Sequence, residues 1–303
     1  MPKGVCVFDL DNTLGDFRGI DYFGYIFEPK LLLEPSEVLP YMEKYGEKIY
    51  MLRDMFENFL DDIKIPEMLI FRPKIVELLM PLVEAYKTKK VQGFYMYSNN
   101  NNSYALEYAG RYLERQLNML NIFKIYLHRT HKLRPNDLAV SKTNPPKLVQ
   151  TVLDLIPEID NPNIIFFDDL EHPDFRKNNV TYVKLLPFET KATTDDLEDI
   201  WKIFVQQLEL VDFDIFELPH VQKLGRTNLE TLHKDYIQYS NDNTPYKGFV
   251  ENTSYIENLI QTFLKGLSNV GGKRKNFTKR YKKNRSKKRR YLLKHERSNS
   301  IDV

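Results

Sequence analysis

The chain has 303 residues, 42% of them hydrophobic and 13% aromatic, which is ample for one large packed domain or two ordinary ones. A single cysteine, Cys6, excludes a disulfide framework and any cysteine-based zinc site. The net charge of +2 conceals an asymmetry: 14 of the 44 Lys/Arg but only Glu296 and Asp302 of the 42 acids lie in 273–303, so the tail carries +12 and the preceding body −10. No apolar run approaches the ~20 residues of a membrane span, and the residues after Met1 have no apolar h-region. A soluble protein of a reducing, intracellular compartment is expected, with no membrane partner.

Taken in order, Gly4 to Asp9 is apolar and rich in Val and Phe, as expected of a buried parallel strand. It ends in Asp9-Leu10-Asp11-Asn12-Thr13-Leu14. Residues i and i+2 of a strand face one side, so Asp9 and Asp11 are expected to share one space. Two adjacent carboxylates repel, and burying them is costly. Either a cation or a division of labour between acid and base relieves that cost; an Asx turn closing the strand is the alternative. Residues 15–65 are polar and aromatic, with Tyr22, Tyr25, Tyr41, Tyr45 and Tyr50 expected to pack locally, and a helix is predicted over 35–60 from Val38, Met42, Ile49, Leu52, Phe56 and Leu60. A second helix is predicted over 73–86, opened by Pro73.

Gly93 to Tyr97 reads as a second strand, ending in Ser98 and the run Asn99–Asn102. A helix is predicted over 103–120, a short strand over 122–127, a polar stretch over 128–144, and a helix over 145–156 opened by Pro145-Pro146. Asn163 to Phe167 is a further strand ending in Asp168-Asp169, followed by a strand over 181–186 and a helix over 194–210. Strands alternate with helices, so the expected fold is α/β: a doubly wound parallel sheet with flanking helices. In such sheets ligands bind outside the C-terminal strand ends, where Asp9/Asp11, Ser98/Asn99 and Asp168/Asp169 are expected to converge. Residues 212–268 are expected to be helical and to lie beyond the core, with Tyr255, Leu259, Phe263 and Leu267 as a stripe.

Phosphate-ester hydrolysis needs a nucleophile in line with phosphorus, an acid/base for the leaving oxygen, and cations against the phosphoryl charge. Asp9 and Asp11 supply the first two. Asp168 would help to hold Mg²⁺, Ser98 would donate to a phosphoryl oxygen, and a lysine would add fixed positive charge. Phe8-Asp9-Leu10-Asp11-Asn12-Thr13-Leu14 resembles the first motif of the haloacid dehalogenase superfamily of aspartyl-phosphate phosphatases. Tyr95-Met96-Tyr97-Ser98-Asn99 resembles its second motif, and Phe166-Phe167-Asp168-Asp169 its fourth. Arg72-Pro73 before a helix and Leu127-His128-Arg129 are similar to the small C-terminal-domain phosphatases of the nuclear-envelope-interacting-factor type, which act on phosphoserine in the RNA polymerase II tail and related phosphoproteins.

The resemblance covers about residues 4–190 and implies roles residue by residue. Asp9 would be nucleophile and Mg²⁺ ligand. Asp11 would be general acid/base, with its carbonyl on the metal. Thr13 and Ser98 would orient phosphate and loop, with Asn99 beside them at the phosphate. Lys142 would bind phosphate, with Lys147 on the first helical turn as the alternative. Asp168 would bind Mg²⁺, with Asp169 in or near the same shell. Asn12 stands where the family commonly has Glu, and the Asn99–Asn102 run is unusual, both of which leave the substrate open. Of His128, His131 and His172, most are expected at the surface, with contact to substrate as the alternative for one of them.

The domain division expected is a phosphatase domain over 1–210 with a helical insertion over 15–70, a helical extension over 211–270 and a basic tail over 271–303. That tail is too charged to fold alone. It reads as a nuclear localisation signal recognised by an import factor through 273–294, as a nucleic-acid contact with Phe277, Tyr281 and Tyr291 available to stack, or as a solubilising segment. It also resembles tails common in proteins of large DNA viruses, iridoviruses included, whose genomes encode C-terminal-domain-phosphatase-like proteins. A nucleic-acid-end (3′-phosphate) phosphatase and a non-catalytic binding protein on the same fold are the alternatives.

Overall fold

The computed structural model describes residues 3–141, 145–190, 194–211, 214–222 and 253–268. Five parallel strands form one sheet in the order β3-β2-β1-β4-β5: β1 Gly4–Phe8, β2 Val91–Tyr97, β3 Phe123–Leu127, β4 Asn163–Asp168 and β5 Val180–Lys184. The central strand β1 is fully buried, as its unbroken apolar sequence requires. The chain leaves β1 towards β2 and β3, then returns to its other side for β4 and β5. This reversal makes the C-terminal ends of β1 and β4 the topological switch point.

The sheet's alternation sorts the core into two faces. Cys6, Phe8, Phe94, Met96, Ile165 and Phe167 face the larger layer, built by α1 Arg18–Phe27, α2 Pro35–Asp62, α3 Ile75–Lys87 and α4 Ser103–Gln116, with residues of α7 Thr194–Leu210 in the same cluster. Val5, Val7, Tyr95, Tyr97, Ile164 and Phe166 face the other side, where the short α6 Val149–Leu155 supplies Val149 and Val152 and a 3₁₀ turn supplies Phe175. Helices thus flank both faces, but the second layer is thin.

Several boundaries differ from expectation. α3 opens at Ile75 instead of Pro73, because Lys74 adopts φ 61° and Arg72 turns inward. The stretch 128–144 contains a short helix, α5 Pro135–Val140, too brief to show periodicity. The helix expected from 145 begins only at Val149, leaving 145–148 irregular. Residues 253–268 form α8, Thr253–Ser268, but this helix does not lie beyond the core. Its buried stripe is Ile256, Ile260, Phe263 and Leu267, and it packs against α3, β4 and β5, while Tyr255 is exposed. Gly4 makes room for it: a Cβ there would sit 2.7 Å from Leu267 and 2.8 Å from Phe263. The basic tail beyond 268 falls outside the described residues.

A second long-range tie fastens the chain after α7. His220 is fully buried between Ile26 O, 2.7 Å from its Nε2, and Tyr41 Oη, 2.6 Å from its Nδ1. A carbonyl can only accept, so Nε2 carries the proton and Nδ1 accepts from the tyrosine. Tyr41 therefore reaches beyond its own neighbourhood to residue 220.

Burial lowers the pKa of His220 against a smaller opposing effect of the Ile26 carbonyl, and burial with nearby Lys30, His131 and Arg134 takes His128 down to about 4. The unfolded imidazole titrates near pH 6.5, so between that pH and the folded pKa the unfolded chain binds more protons. The stability from neutral histidine is therefore present above about pH 6.5 and is lost as pH falls towards 4. Buried carboxylates with raised pKa values, Asp9 and Asp11 among them, act in the opposite sense, so the histidine contribution is read as a difference between variants. Between pH 7 and pH 5 the melting midpoint of His220→Gln, which keeps a donor and an acceptor without titrating, should move upward relative to that of the wild type over the same interval.

Candidate metal and phosphate site

The site grows from the tips of β1 and β4. Asp9 follows the last residue of β1, and its N–H donates to Phe167 O at 2.9 Å, continuing the ladder by one step. Asp168 ends β4 and Asp169 follows it. All three acids are buried, and one carboxylate oxygen of each lies within 4.8 Å of the others, so the cluster could hold a metal ion. The hard oxygen donors suit a divalent cation of the Mg²⁺ or Ca²⁺ kind.

Lys147 enters between them. Its ammonium lies 2.6 Å from Asp9 Oδ1 and 2.7 Å from Asp168 Oδ2, with the side chain almost wholly buried. Burial opposes the lysine's charge, but Asp9 and Asp168 outweigh it and hold its pKa above the usual value. Burial pushes Asp9 up to about 8; Lys147 opposes this, and Asp168 and Asp11 add to it. For Asp168, burial works upward, but Lys147 and His172 prevail and its pKa is lowered. Burial, then Asp168, raise Asp169. Asp9 and Asp168 touch the same ammonium yet shift in opposite directions, so the group titrates as a unit. Three carboxylates against one ammonium leave an excess of negative charge, which a shared proton or a divalent cation relieves.

Thr13 is fully buried; its hydroxyl donates to Asp169 Oδ1 at 3.1 Å and accepts the Asp169 N–H at 3.0 Å, so it orients the loop after β4. Asp11 does not continue the strand, which ends at Phe8, and its carboxylate stands outside the three-acid cluster. Asn100 Nδ2 donates to Asp11 Oδ2 at 3.0 Å and to Asp21 at 2.8 and 2.9 Å, while Asp11 Oδ1 is buried without a partner. Burial pushes Asp11 up to about 6, against the Asn100 hydrogen bond. Asn12 adopts φ 59°, a left-handed conformation that Asn tolerates well.

Ser98 lies at the buried tip of β2, two residues beyond Met96, the register partner of Phe8. Its hydroxyl accepts the Asn100 N–H at 3.1 Å. Asn99 Nδ2 donates to Pro145 O at 3.0 Å and its Oδ1 accepts from Arg134 Nη2 at 2.8 Å, so its side-chain amide ties the tip of β2 to the segments around 134 and 145. Lys142 lies outside the described residues. The alternative, Lys147, occupies the site, although from the irregular segment ahead of α6 and not from a helical turn. His172 is half-buried beside the site, with its Nε2 3.2 Å from Asp168 Oδ2.

Two buried arginines were not legible as site residues. Arg72 Nε donates to Thr13 O at 2.7 Å, and its Nη2 donates to Asn12 O and Leu186 O, each at 2.7 Å, so one guanidinium holds the loop after β1 to the segment after β5. Arg134 pairs with Asp137 at 2.7 Å and donates to Ser98 O at 2.6 Å. Only their place beside a proline offered any signal. Gly15 completes the first loop, since a Cβ there would stand 2.2 Å from Ile70 O.

Comparisons with protein-family models, with curated proteins and with solved structures found no match to this chain.

A divalent cation that binds the three acids must stabilise the folded chain, by about 2.7 kcal/mol at a free concentration of 100 times its Kd. Melting in increasing Mg²⁺ or Mn²⁺ should show the midpoint rise for the wild type, and little or no rise for Asp168→Asn. The second variant Asp11→Asn, whose carboxylate stands outside the cluster, should retain most of the effect.

Proposed function

We propose that the chain is a Mg²⁺-dependent phosphatase of haloacid dehalogenase type, working through an aspartyl-phosphate intermediate, with phosphoserine in protein as its substrate. The observation that carries this reading is the ammonium of Lys147 shared between Asp9 and Asp168, with Asp169 beside them, at the switch point of a parallel sheet. A nucleophilic carboxylate, a fixed cation and a set of hard oxygen ligands at one strand edge meet what phosphoryl transfer requires.

In this mechanism Asp9 attacks phosphorus in line and the ester oxygen leaves. Asp11, on the loop beyond Asp9, gives that oxygen a proton, then takes one from the water that hydrolyses the aspartyl-phosphate. Its unpartnered buried oxygen is free for this exchange. Lys147 offsets charge on the phosphoryl oxygens and on Asp9, and the Ser98 hydroxyl donates to a phosphoryl oxygen. Bound Mg²⁺, held by Asp9 and Asp168 with Asp169 alongside and the Asp11 carbonyl as a further ligand, would supply Lewis-acid stabilisation of the same charge. Thr13 and Arg72 keep the two loops in register.

The net charge of +12 in 273–303 favours one second reading, a phosphatase of nucleic-acid 3′ ends whose tail supplies non-specific backbone affinity. On the first reading the tail serves nuclear import, near substrates such as the RNA polymerase II C-terminal repeats.

Hydrolysis of p-nitrophenyl phosphate with Mg²⁺ should fall by about 10³-fold or more in Asp9→Asn, as expected when a nucleophile is removed. Equal rates for the two proteins defeat the mechanism. A phosphoserine peptide set against a 3′-phosphorylated oligonucleotide then separates the two substrates, with faster turnover of the peptide expected.

A further inference from the structure

The segment that carries Lys147 has no secondary structure of its own to hold it. Residues 145–148 lie ahead of α6, and their backbone is fixed from outside. Asn99 Nδ2 donates to Pro145 O at 3.0 Å on one side of Lys147. On the other side the Leu148 N–H donates to Tyr97 Oη at 2.8 Å, and the Val149 N–H to Asp174 Oδ2 at 2.7 Å.

Tyr97 is itself the edge of a buried network. Its hydroxyl donates to Asp137 Oδ2. The same oxygen accepts from Arg134 Nε at 2.7 Å, and Asp137 Oδ1 accepts from Thr151 Oγ1 at 2.6 Å. Arg134 then donates to Ser98 O at 2.6 Å and to Asn99 Oδ1 at 2.8 Å, and its guanidinium lies 4.7 Å from the centre of the Tyr97 ring. Tyr97, Arg134 and Asp137 are fully buried. A buried ion pair is seldom a net source of stability, and a phenylalanine at 97 with apolar neighbours would fill the same volume without desolvating charge. What the network does have is two ends, one on the residue after Lys147 and one on the carbonyl of Ser98.

We propose that Tyr97, held by Asp137 and Arg134, is a positioning residue that sets where the Lys147 ammonium stands relative to Asp9 and to the tip of β2. This deepens the phosphatase reading and rests on it, since the importance of the position comes from the charge Lys147 places at the phosphoryl group. The geometry is a relay of hydrogen bonds through rigid groups: a phenol at the end of the inner strand β2, a carboxylate with both oxygens filled, and a planar guanidinium. Removing the phenol oxygen leaves the Leu148 N–H without its acceptor and frees the segment to shift, with the ring still packed against Phe175.

The test compares Tyr97→Phe with the wild type and with Ile159→Ala, which trims a buried side chain of the same core layer that has no part in the network. Two measurements are made below the melting range of all three proteins. The first is turnover of p-nitrophenyl phosphate with Mg²⁺. Tyr97→Phe should lower kcat by about tenfold to a hundredfold, the cost of misplacing a charged group by an ångström or less, with KM changed by less than about twofold. Ile159→Ala should keep kcat within about twofold despite its lower melting midpoint. The second is the rate at which a lysine-acylating reagent modifies Lys147, followed by mass spectrometry: slow in the wild type and in Ile159→Ala, and several-fold faster in Tyr97→Phe. Wild-type kcat and wild-type protection of Lys147 in Tyr97→Phe would overturn the proposal, as would equal losses in Tyr97→Phe and Ile159→Ala. If the wild type has no turnover, the phosphatase reading fails, and the acylation rates still decide whether Tyr97 positions Lys147.

Discussion

Negative charge gathered at the edge of a buried sheet is the constraint that shapes this protein. Asp9, Asp168 and Asp169 are brought together by the pairing of β1 with β4, and Asp11 follows on the next loop. Buried carboxylates in such numbers are tolerated only with counter-charges and hydrogen bonds close by. The chain provides them from far-separated places: Lys147 against Asp9 and Asp168, Thr13 against Asp169, and Asn100 against Asp11 and Asp21. The loops that present these groups are in turn pinned by two arginines buried as completely as any core leucine, Arg72 and Arg134.

This arrangement separates the groups that face the site from those that hold them. Arg72 and Arg134 spend much of their donor capacity on backbone carbonyls, at Asn12, Thr13 and Leu186 for one and at Ser98 and His128 for the other. A guanidinium suits this work because it is planar, permanently charged and carries five donors in fixed directions. Irregular loops at strand ends expose carbonyls that no ladder satisfies, and one arginine can take up several at once. The rigidity of the strand tips therefore depends on residues that the chemistry itself would not select.

The hydrophobic layers are unequal for a related reason. The face of Phe8 and Phe167 is covered by the long helices and by α8, whereas the face of Val7 and Phe166 is covered chiefly by α6 and a 3₁₀ turn. The thin layer is the one that supplies Lys147 and the Tyr97–Asp137–Arg134 network. Polar groups there stand between the core and the site, which ties the packing of α5 and α6 to the placement of the lysine.

The sequence alone determined the strands of the sheet and the acidic edge at their ends. Runs such as Val5–Phe8 and Ile164–Phe167 are too apolar to lie anywhere but in a buried parallel strand, and the acids that end them could be assigned to one crevice because strand ends converge there. Tertiary structure decided what periodicity does not encode. Lys142 and Lys147 are indistinguishable as charged residues near a helix start, and only the folded path through 145–148 places Lys147 against two carboxylates. The role of the Asn99 amide in tying loops together was not legible either, because its partners Pro145 and Arg134 are more than thirty residues away. The same holds for Arg72, Arg134 and His220, whose burial no local pattern announces: a charged or polar side chain is solvated by default, and it enters the interior only where distant segments bring it partners. The stripe of α8 was legible in its helical spacing, with Phe263 and Leu267 buried, but its place in the gap above Gly4 was decided by the tertiary structure.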